Sequence, residues 1–454
     1  FRGRWHVGRA YPGGGYLRDE LRHHAGAALG AGVPHGNYHY DLGSGRPVGL
    51  VPKEPLALIP PVRSYTMSDI TVYGATGLVG QLVARYLASI NAPSVTLAGR
   101  NRPVLAALRD ELNQHWDIAI AAADDADAVE HMVENTKVLI TVVGPYSLYG
   151  GHVVAACARH GVDYVDLCGE VPFIRRSIDS HHATAQSTGA RIVHSCGFDS
   201  VPSDIGILNL YQAAGKPFAR VQMVVDKLKG GISPGTIESS LQVSHAAHAD
   251  KEVARNLHNP YSLDPDPKAG PRLDGLQNDF EIKEVDGVGW VGPFFMSMFN
   301  TRVVRRSNAL LGRAWGARLF YKEAWWAGTG LPGRARAYGL ALATKLLFDG
   351  TQSRLRPLVE KILPKPGPSG AHFQVSHHGI TEDGERWRAT VSAQGDPGYE
   401  VTAMMLSQAA LCLLDSRSAT SRAGGVLTPA TGLGKSYLER LSTHGMTFTA
   451  ARVN

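Results

Sequence analysis

Cysteine is scarce in this chain: 454 residues hold four, Cys157, Cys168, Cys196 and Cys412. No two of them make the C-x-x-C spacing of a zinc ribbon or redox pair. The count is also too low for a disulfide framework, so a reducing, cytoplasmic setting is expected. Long apolar runs are missing as well. A membrane-spanning helix needs about 18 consecutive apolar residues, and no such run occurs. Charge of one sign is not in great excess, since 46 Lys and Arg against 40 Asp and Glu leave +6. With a pI near 9.0, that excess does not imply nucleic acid. His194 and the pairs His181-His182 and His377-His378 lack a carboxylate or cysteine at ligand spacing, so no metal is expected. Gly434-Lys435-Ser436 ends like a P-loop. Pro429 stands where the first glycine is needed, and no strand feeds the segment, which argues against ATP. There is no internal repeat. Residues 1–66 start with Phe1, are rich in Gly, Arg and His, and lack the charged start and apolar core of a signal peptide. They are expected to be a leader or upstream extension, poorly ordered unless Leu56-Ala57-Leu58-Ile59 docks.

What is present, at 44% apolar residues, is the composition of a globular protein. From Asp69 onward short β-like runs alternate with helical stretches, the pattern of a parallel sheet. Strands are expected at 69–73, 94–98, 117–121, 138–142, 164–167 and 191–194, with helices between them. This predicts an α/β fold with a Rossmann-type doubly wound parallel sheet over residues 67–205. Beyond it, Val221 to Val225 and a hairpin of Phe373 to Ser376 with Trp387 to Val391 predict a second α+β domain, residues 206–397, with a largely antiparallel sheet. One helix is expected at about 233–258 and a long polar loop at 259–289. Residues 301–361 hold 12 Lys or Arg against 3 acids, interleaved with Trp315, Phe320, Tyr321, Trp325 and Trp326. This basic aromatic region reads as helical. A solvated surface, a peripheral membrane contact and a docking face for an acidic acyl carrier protein all remain open for it. Residues 398–454 are expected to form helices that pack back on the first domain.

The chemistry begins at Gly74-Ala75-Thr76-Gly77-Leu78-Val79-Gly80, which follows the first strand and opens the first helix. In such a turn the first glycine permits the bend, the middle one admits a pyrophosphate to the backbone N–H groups, and the last lets helix and strand pack closely. The spacing is G-x-x-G-x-x-G. After the second strand an acid would bind the ribose hydroxyl of NAD, whereas an Arg would pair with the extra phosphate of NADP. The chain has Gly99-Arg100-Asn101-Arg102 there. Arg100 and Asn101 are therefore assigned to the cofactor, and NADP(H) is expected. Asp124, after the third strand, is placed to approach the adenine, with a solvated loop acid as the other reading.

At the carboxyl edge where a nicotinamide would lie stands Gly144-Pro145-Tyr146-Ser147-Leu148-Tyr149-Gly150. Gly144 and Pro145 are assigned to the cofactor, and Tyr146 or Tyr149 to donation toward a substrate oxygen, with packing of the cleft as the other reading. Cys196 and Gly197 lie at the next edge and join the cofactor set. Asp199 is a candidate catalytic group, and Asp199 or Asp204 either anchors the nicotinamide amide or caps a helix. Cys196 has no Cys-His-Asn pattern to make it a nucleophile.

These residues resemble a known family. Gly74-Ala75-Thr76-Gly77, Ala98-Gly99-Arg100, Gly144-Pro145-Tyr146 with Tyr149-Gly150, Tyr164 to Glu170 and Cys196 to Asp204 look like the saccharopine dehydrogenase-like oxidoreductases. Trp290 to Phe294, Asn300 to Ser307 and Gly425 to Thr431 resemble its branch of trans-acting enoyl reductases in polyketide-lipid synthesis. The likeness runs from about Met67 to the C-terminus. It implies an NADPH-dependent reductase, soluble or membrane-associated, that reduces an enoyl thioester presented by a separate polyketide synthase, on its acyl carrier. It leaves a homodimer and contact with the inner face of the plasma membrane open. A saccharopine-type amino-acid dehydrogenase and a non-catalytic nucleotide-binding scaffold or redox sensor at a lipid surface are the competing functions.

Overall fold

The computed structural model describes residues 67–453 except 93, 232–233, 269, 272, 274, 276–277, 352–368 and 419–422. The expected leader, 1–66, and the end of the basic region, 352–361, lie outside these residues. The first sheet is built from β1 (Ser68–Tyr73), β2 (Val95–Gly99), β3 (Asp117–Ile120), β4 (Thr136–Thr141), β5 (Asp163–Asp166) and β6 (Arg191–Val193). Their order is β6-β5-β4-β1-β2-β3, all parallel. The central strands are buried along nearly their whole length, as a sheet covered on both faces requires. Crossovers run through α1 (Leu78–Ser89), α2 (Arg102–Glu111), α3 (Ala126–Glu134), the short α4 (Tyr146–Tyr149), α5 (Gly151–His160) and α6 (Val171–Thr188). Strand order reverses between β1 and β4, so the ligand crevice opens at their carboxyl ends.

α7 (Val201–Ala214) leads into the second sheet. Its described strands are β7 (Phe218–Lys229), β8 (Lys283–Val285), β9 (Gly289–Gly292), β10 (Phe320–Gly328), β11 (His372–Thr381) and β12 (Arg386–Gln394). Pairing is antiparallel except between β7 and β10. The expected hairpin is present and longer than its apolar core suggested, β11 and β12 turning through a Gly384 with φ of 90°.

Four expectations change. The polar loop at 259–289 ends in a strand, because β8 pairs antiparallel with β9. The helix at 233–258 is two helices, α8 (Pro234–Ala249) and α9 (Lys251–His258). Asp250 breaks it by leaving helical geometry and accepting the N–H of Glu252 at 2.7 Å, as an N-cap does. Residues 301–361 are not a continuous helical surface, because β10 lies between α10 (Ser297–Leu310) and α11 (Gly330–Thr351). Three of the region's cations face inward: Arg302 binds Asp279, Arg305 donates to the carbonyls of Pro260 and Tyr321, and Arg306 donates to those of Leu263 and Val426. All three are buried, so α10 presents no cationic face to a membrane. Finally, residues 398–454 are not helices alone. α12 (Glu400–Asp415) packs on α1, β4 and β5. Then β13 (Gly425–Leu427) adds a seventh parallel strand beside β6, α13 (Pro429–Gly432) and α14 (Gly434–Thr443) follow, and β14 (Met446–Val453) completes the second sheet beside β12.

Candidate active site

The glycine turn has the geometry a phosphate site needs. Gly74 adopts φ of 88°, open to glycine at little cost. A Cβ on Gly80 would sit 2.2 Å from the Gly74 carbonyl oxygen, so α1 packs against the turn only because Gly80 has none. Gly77 is the N-cap of α1 and no side chain caps the helix. The first-turn N–H groups of Leu78 and Val79 lack intrahelical acceptors, as at any helix start. Gly77 and Leu78 are exposed, Thr76 and Val79 are half-buried, and Ala75 is buried in the core below. This is an open, uncapped anion cradle on a positive helix end.

Arg100 follows β2, is exposed, and has no ionic partner among the described residues. It is free to pair with a phosphate. Asn101 does something else: its side-chain oxygen accepts the Val104 N–H at 3.3 Å and caps α2. Asp124 is exposed and lies close enough to Tyr73, the last residue of β1, to help burial push that phenol up to about 12.

Beyond β4, Gly144 and Pro145 lead into α4, whose start is held from beneath. The buried Glu170 carboxylate accepts the N–H of Tyr146 at 2.7 Å, the N–H of Ser147 at 2.9 Å and the Ser239 hydroxyl at 2.9 Å. A carboxylate at a helix N-terminus is the favourable arrangement. Here it also ties α8 to the turn after β4. The assignment of Tyr146 to substrate is corrected by its surroundings. Its hydroxyl donates to the Thr141 carbonyl and accepts the Leu167 N–H, both at 3.2 Å. Burial raises it well above its ordinary range. Tyr146 holds β4 to the loop after β5, whereas Tyr149 is 41% exposed and keeps its hydroxyl available.

After β6 the two remaining cofactor assignments are also packed. Cys196 is fully buried, its thiol pushed well up by desolvation. A Cβ on Gly197 would meet Leu167 at 2.7 Å. Both shape the loop that carries Asp199. The Asp199 carboxyl is half-buried and has no hydrogen-bonding or ionic partner among the described residues. Burial raises it to about 6. Asp204, by contrast, is engaged. It accepts the Ser307 hydroxyl at 2.5 Å and the Ala430 N–H at 2.8 Å. It thus caps α13 rather than its own helix, and burial raises it to about 7.

Sequence reasoning missed a buried polar layer behind this loop. Glu323 of β10 accepts the Tyr321 hydroxyl and the Asn300 side-chain N–H, each at 2.9 Å, and Asn300 accepts the Ser200 hydroxyl at 3.2 Å. Burial raises Glu323 to about 8, which leaves it mostly neutral at pH 7. Asp166 is a second hub, bonded to His194 at 2.6 Å and to the Tyr164 hydroxyl at 2.8 Å, while His194 reaches the Ser177 hydroxyl at 2.9 Å. This Ser-His-Asp order has the spacing of a hydrolase triad. All three are buried, so the chain fixes β5, β6 and α6 and offers no nucleophile to substrate. Glu130, Glu134 and His160 group metal-type donor atoms within 4.8 Å on the surface, with Glu130 already paired to Arg159.

Residues 70–193 match the saccharopine dehydrogenase NADP binding domain. Over 417 residues the chain is 36% identical to the trans-acting enoyl reductase of Mycobacterium ulcerans, covering 85% of this chain and 98% of that protein. The chain belongs to the trans-acting enoyl reductase family. A Mycobacterium tuberculosis member, provisionally named a trans-acting enoyl reductase, is 41% identical over 413 residues, with the same coverage. Apo saccharopine dehydrogenase from Saccharomyces cerevisiae aligns at 13% identity and a TM-score of 0.47, over 85% of this chain and 100% of that one. The first domain takes NADP(H), and the uncapped cradle and unpaired Arg100 suit it. No described helix is long and apolar enough to cross a membrane.

Proposed function

We propose that this chain is an NADPH-dependent reductase of an α,β-unsaturated acyl thioester, presented on the acyl carrier of a separate polyketide synthase. The observation that carries the proposal is Asp199: a carboxyl without a partner, raised to about 6, at the carboxyl edge of the sheet. Bound NADPH supplies hydride to the β-carbon. Gly77 and the first turn of α1 hold its pyrophosphate, and Arg100 its 2′-phosphate. The Tyr149 hydroxyl donates to the thioester carbonyl and stabilises negative charge as it develops there. Asp199 delivers the proton that the α-carbon requires, a task suited to an acid titrating near neutrality.

The amine-dehydrogenase alternative needs cations to clamp substrate carboxylates. No Lys or Arg occurs in 142–150, 167–170, 196–204 or 230–249, which favours the neutral thioester. A non-catalytic scaffold has no use for an unpartnered half-buried acid. The test is NADPH oxidation with an enoyl thioester, free and on a carrier protein, against an oxo acid plus amino acid, with NADH as control. Saturation of the enoyl group with NADPH supports the proposal. Turnover of the amine-forming pair alone, or of neither, rejects it.

A further inference from the structure

α11 has two apolar stripes, and the fold uses one. Towards β9 and β10 the helix buries Gly333 and Ala337, with Leu340 and Thr344 half-covered. At 100° per residue these positions share one face. Leu331, Ala335, Tyr338 and Leu342 share the opposite meridian, at i, i+4, i+7 and i+11, and face solvent. Leu331 is 79% exposed, Tyr338 55% and Leu342 60%. A helix solvated on its outer side carries charge there. This one carries large apolar side chains flanked on one side by exposed Arg334, whose guanidinium also lies over the Trp290 ring, and Lys345, with exposed Arg336 nearer the packed face. From Gly330 to Lys345 there is no acid. Beside the helix a groove of about 450 Å³ between Trp325, Trp326, Leu340 and Ala343 has Arg336 at its edge. Trp326, 41% exposed, extends the apolar surface to β10.

We propose that the outer face of α11 seats the protein on an anionic lipid bilayer. Leu331, Tyr338 and Leu342 enter the interface, Arg334 and Lys345 meet the head groups beside them, and Arg336 and Trp326 stand at the margin of the groove. Protruding leucines with flanking cations and no acid are complementary to a negatively charged apolar interface. An acidic carrier protein would use the cations and leave the leucines in water. The proposal does not depend on which substrate the enzyme reduces.

The full chain is floated with vesicles of phosphatidylcholine alone and of phosphatidylcholine with phosphatidylglycerol, at low and high salt. Leu331→Asp/Leu342→Asp and Arg334→Glu/Arg336→Glu/Lys345→Glu are compared with the parent, with circular dichroism to verify folding. All substituted side chains are exposed, so both variants are expected to fold. The parent is expected to float with anionic vesicles and at least tenfold less with neutral ones. The charge variant should lose the anionic preference, and the leucine variant should lose flotation even at low salt. Absence of flotation on anionic vesicles at low salt overturns the proposal. So does flotation of both variants at the parent's level. A dimer that the leucine variant splits, seen by light scattering, also overturns it, since the face would then cover a second copy.

Discussion

Replacing Asp199 with Asn removes the proposed acid and leaves the side chain's size unchanged. Because burial raises the carboxyl to about 6, about a tenth of the enzyme holds the proton at pH 7 and about nine-tenths at pH 5. If Asp199 delivers the α-proton, kcat for the enoyl thioester rises roughly tenfold between pH 7 and pH 5, with a midpoint near 6. Asp199→Asn is then expected to lower kcat by roughly 10²–10⁴-fold, the usual contribution of a positioned general acid, and to flatten the profile. NADPH affinity, set by the α1 turn and Arg100, should stay within about twofold in a fluorescence titration, since Asp199 is not among their partners. The assay is steady-state NADPH oxidation from pH 5 to 8, at saturating substrate. An Asn variant that keeps the parent's kcat and its pH midpoint refutes the reasoning.

Other expectations follow from single contacts. Arg100→Asp replaces an unpaired cation with a charge that repels the 2′-phosphate. It should raise the KM for NADPH by roughly 10–100-fold, the worth of one charge-assisted hydrogen bond, and improve the use of NADH. Unchanged selectivity in the same assay refutes this role. Gly80→Ala places a Cβ 2.2 Å from the Gly74 carbonyl. It should cost roughly 1–3 kcal/mol in urea unfolding and weaken NADPH binding, because α1 must lift from the turn. Glu323 titrates near 8 in the fold against 4.5 as its ordinary value, so the native state holds a proton that the unfolded chain has lost. Its contribution to stability is full below about 4.5 and is lost as pH rises through about 8, with a slope of up to about 1.4 kcal/mol per pH unit. Glu323→Gln should remove that component from the pH dependence of urea unfolding. Parallel curves for the two proteins speak against it.

How much of this was legible in the sequence depended on how local each cause was. The glycine turn and Arg100 could be read because a sharp bend, a helix start and a strand end lie within a few residues of each other. Glu170 stood in a quoted motif without a role, since its partners Tyr146, Ser147 and Ser239 come from two other segments. Tyr146 and Tyr149 were indistinguishable until the Leu167 N–H and Thr141 carbonyl claimed one hydroxyl. Composition could not separate the buried guanidinium groups of Arg302, Arg305 and Arg306 from the exposed cations of α11, so residues 301–361 read as one surface. β13 is three residues long, too short for periodicity to reveal. It becomes a strand only because β6 offers an open edge.

The most direct measurement of the central claim uses NADPH deuterated at the transferring nicotinamide position, an enoyl thioester on an acyl carrier protein, and mass spectrometry of the product. The account predicts a saturated acyl chain with deuterium on the β-carbon and a solvent proton on the α-carbon. It is contradicted if, with an oxo acid and an amino acid added to the same mixture, the enoyl chain stays unsaturated while deuterium appears on the carbon of a newly formed secondary amine.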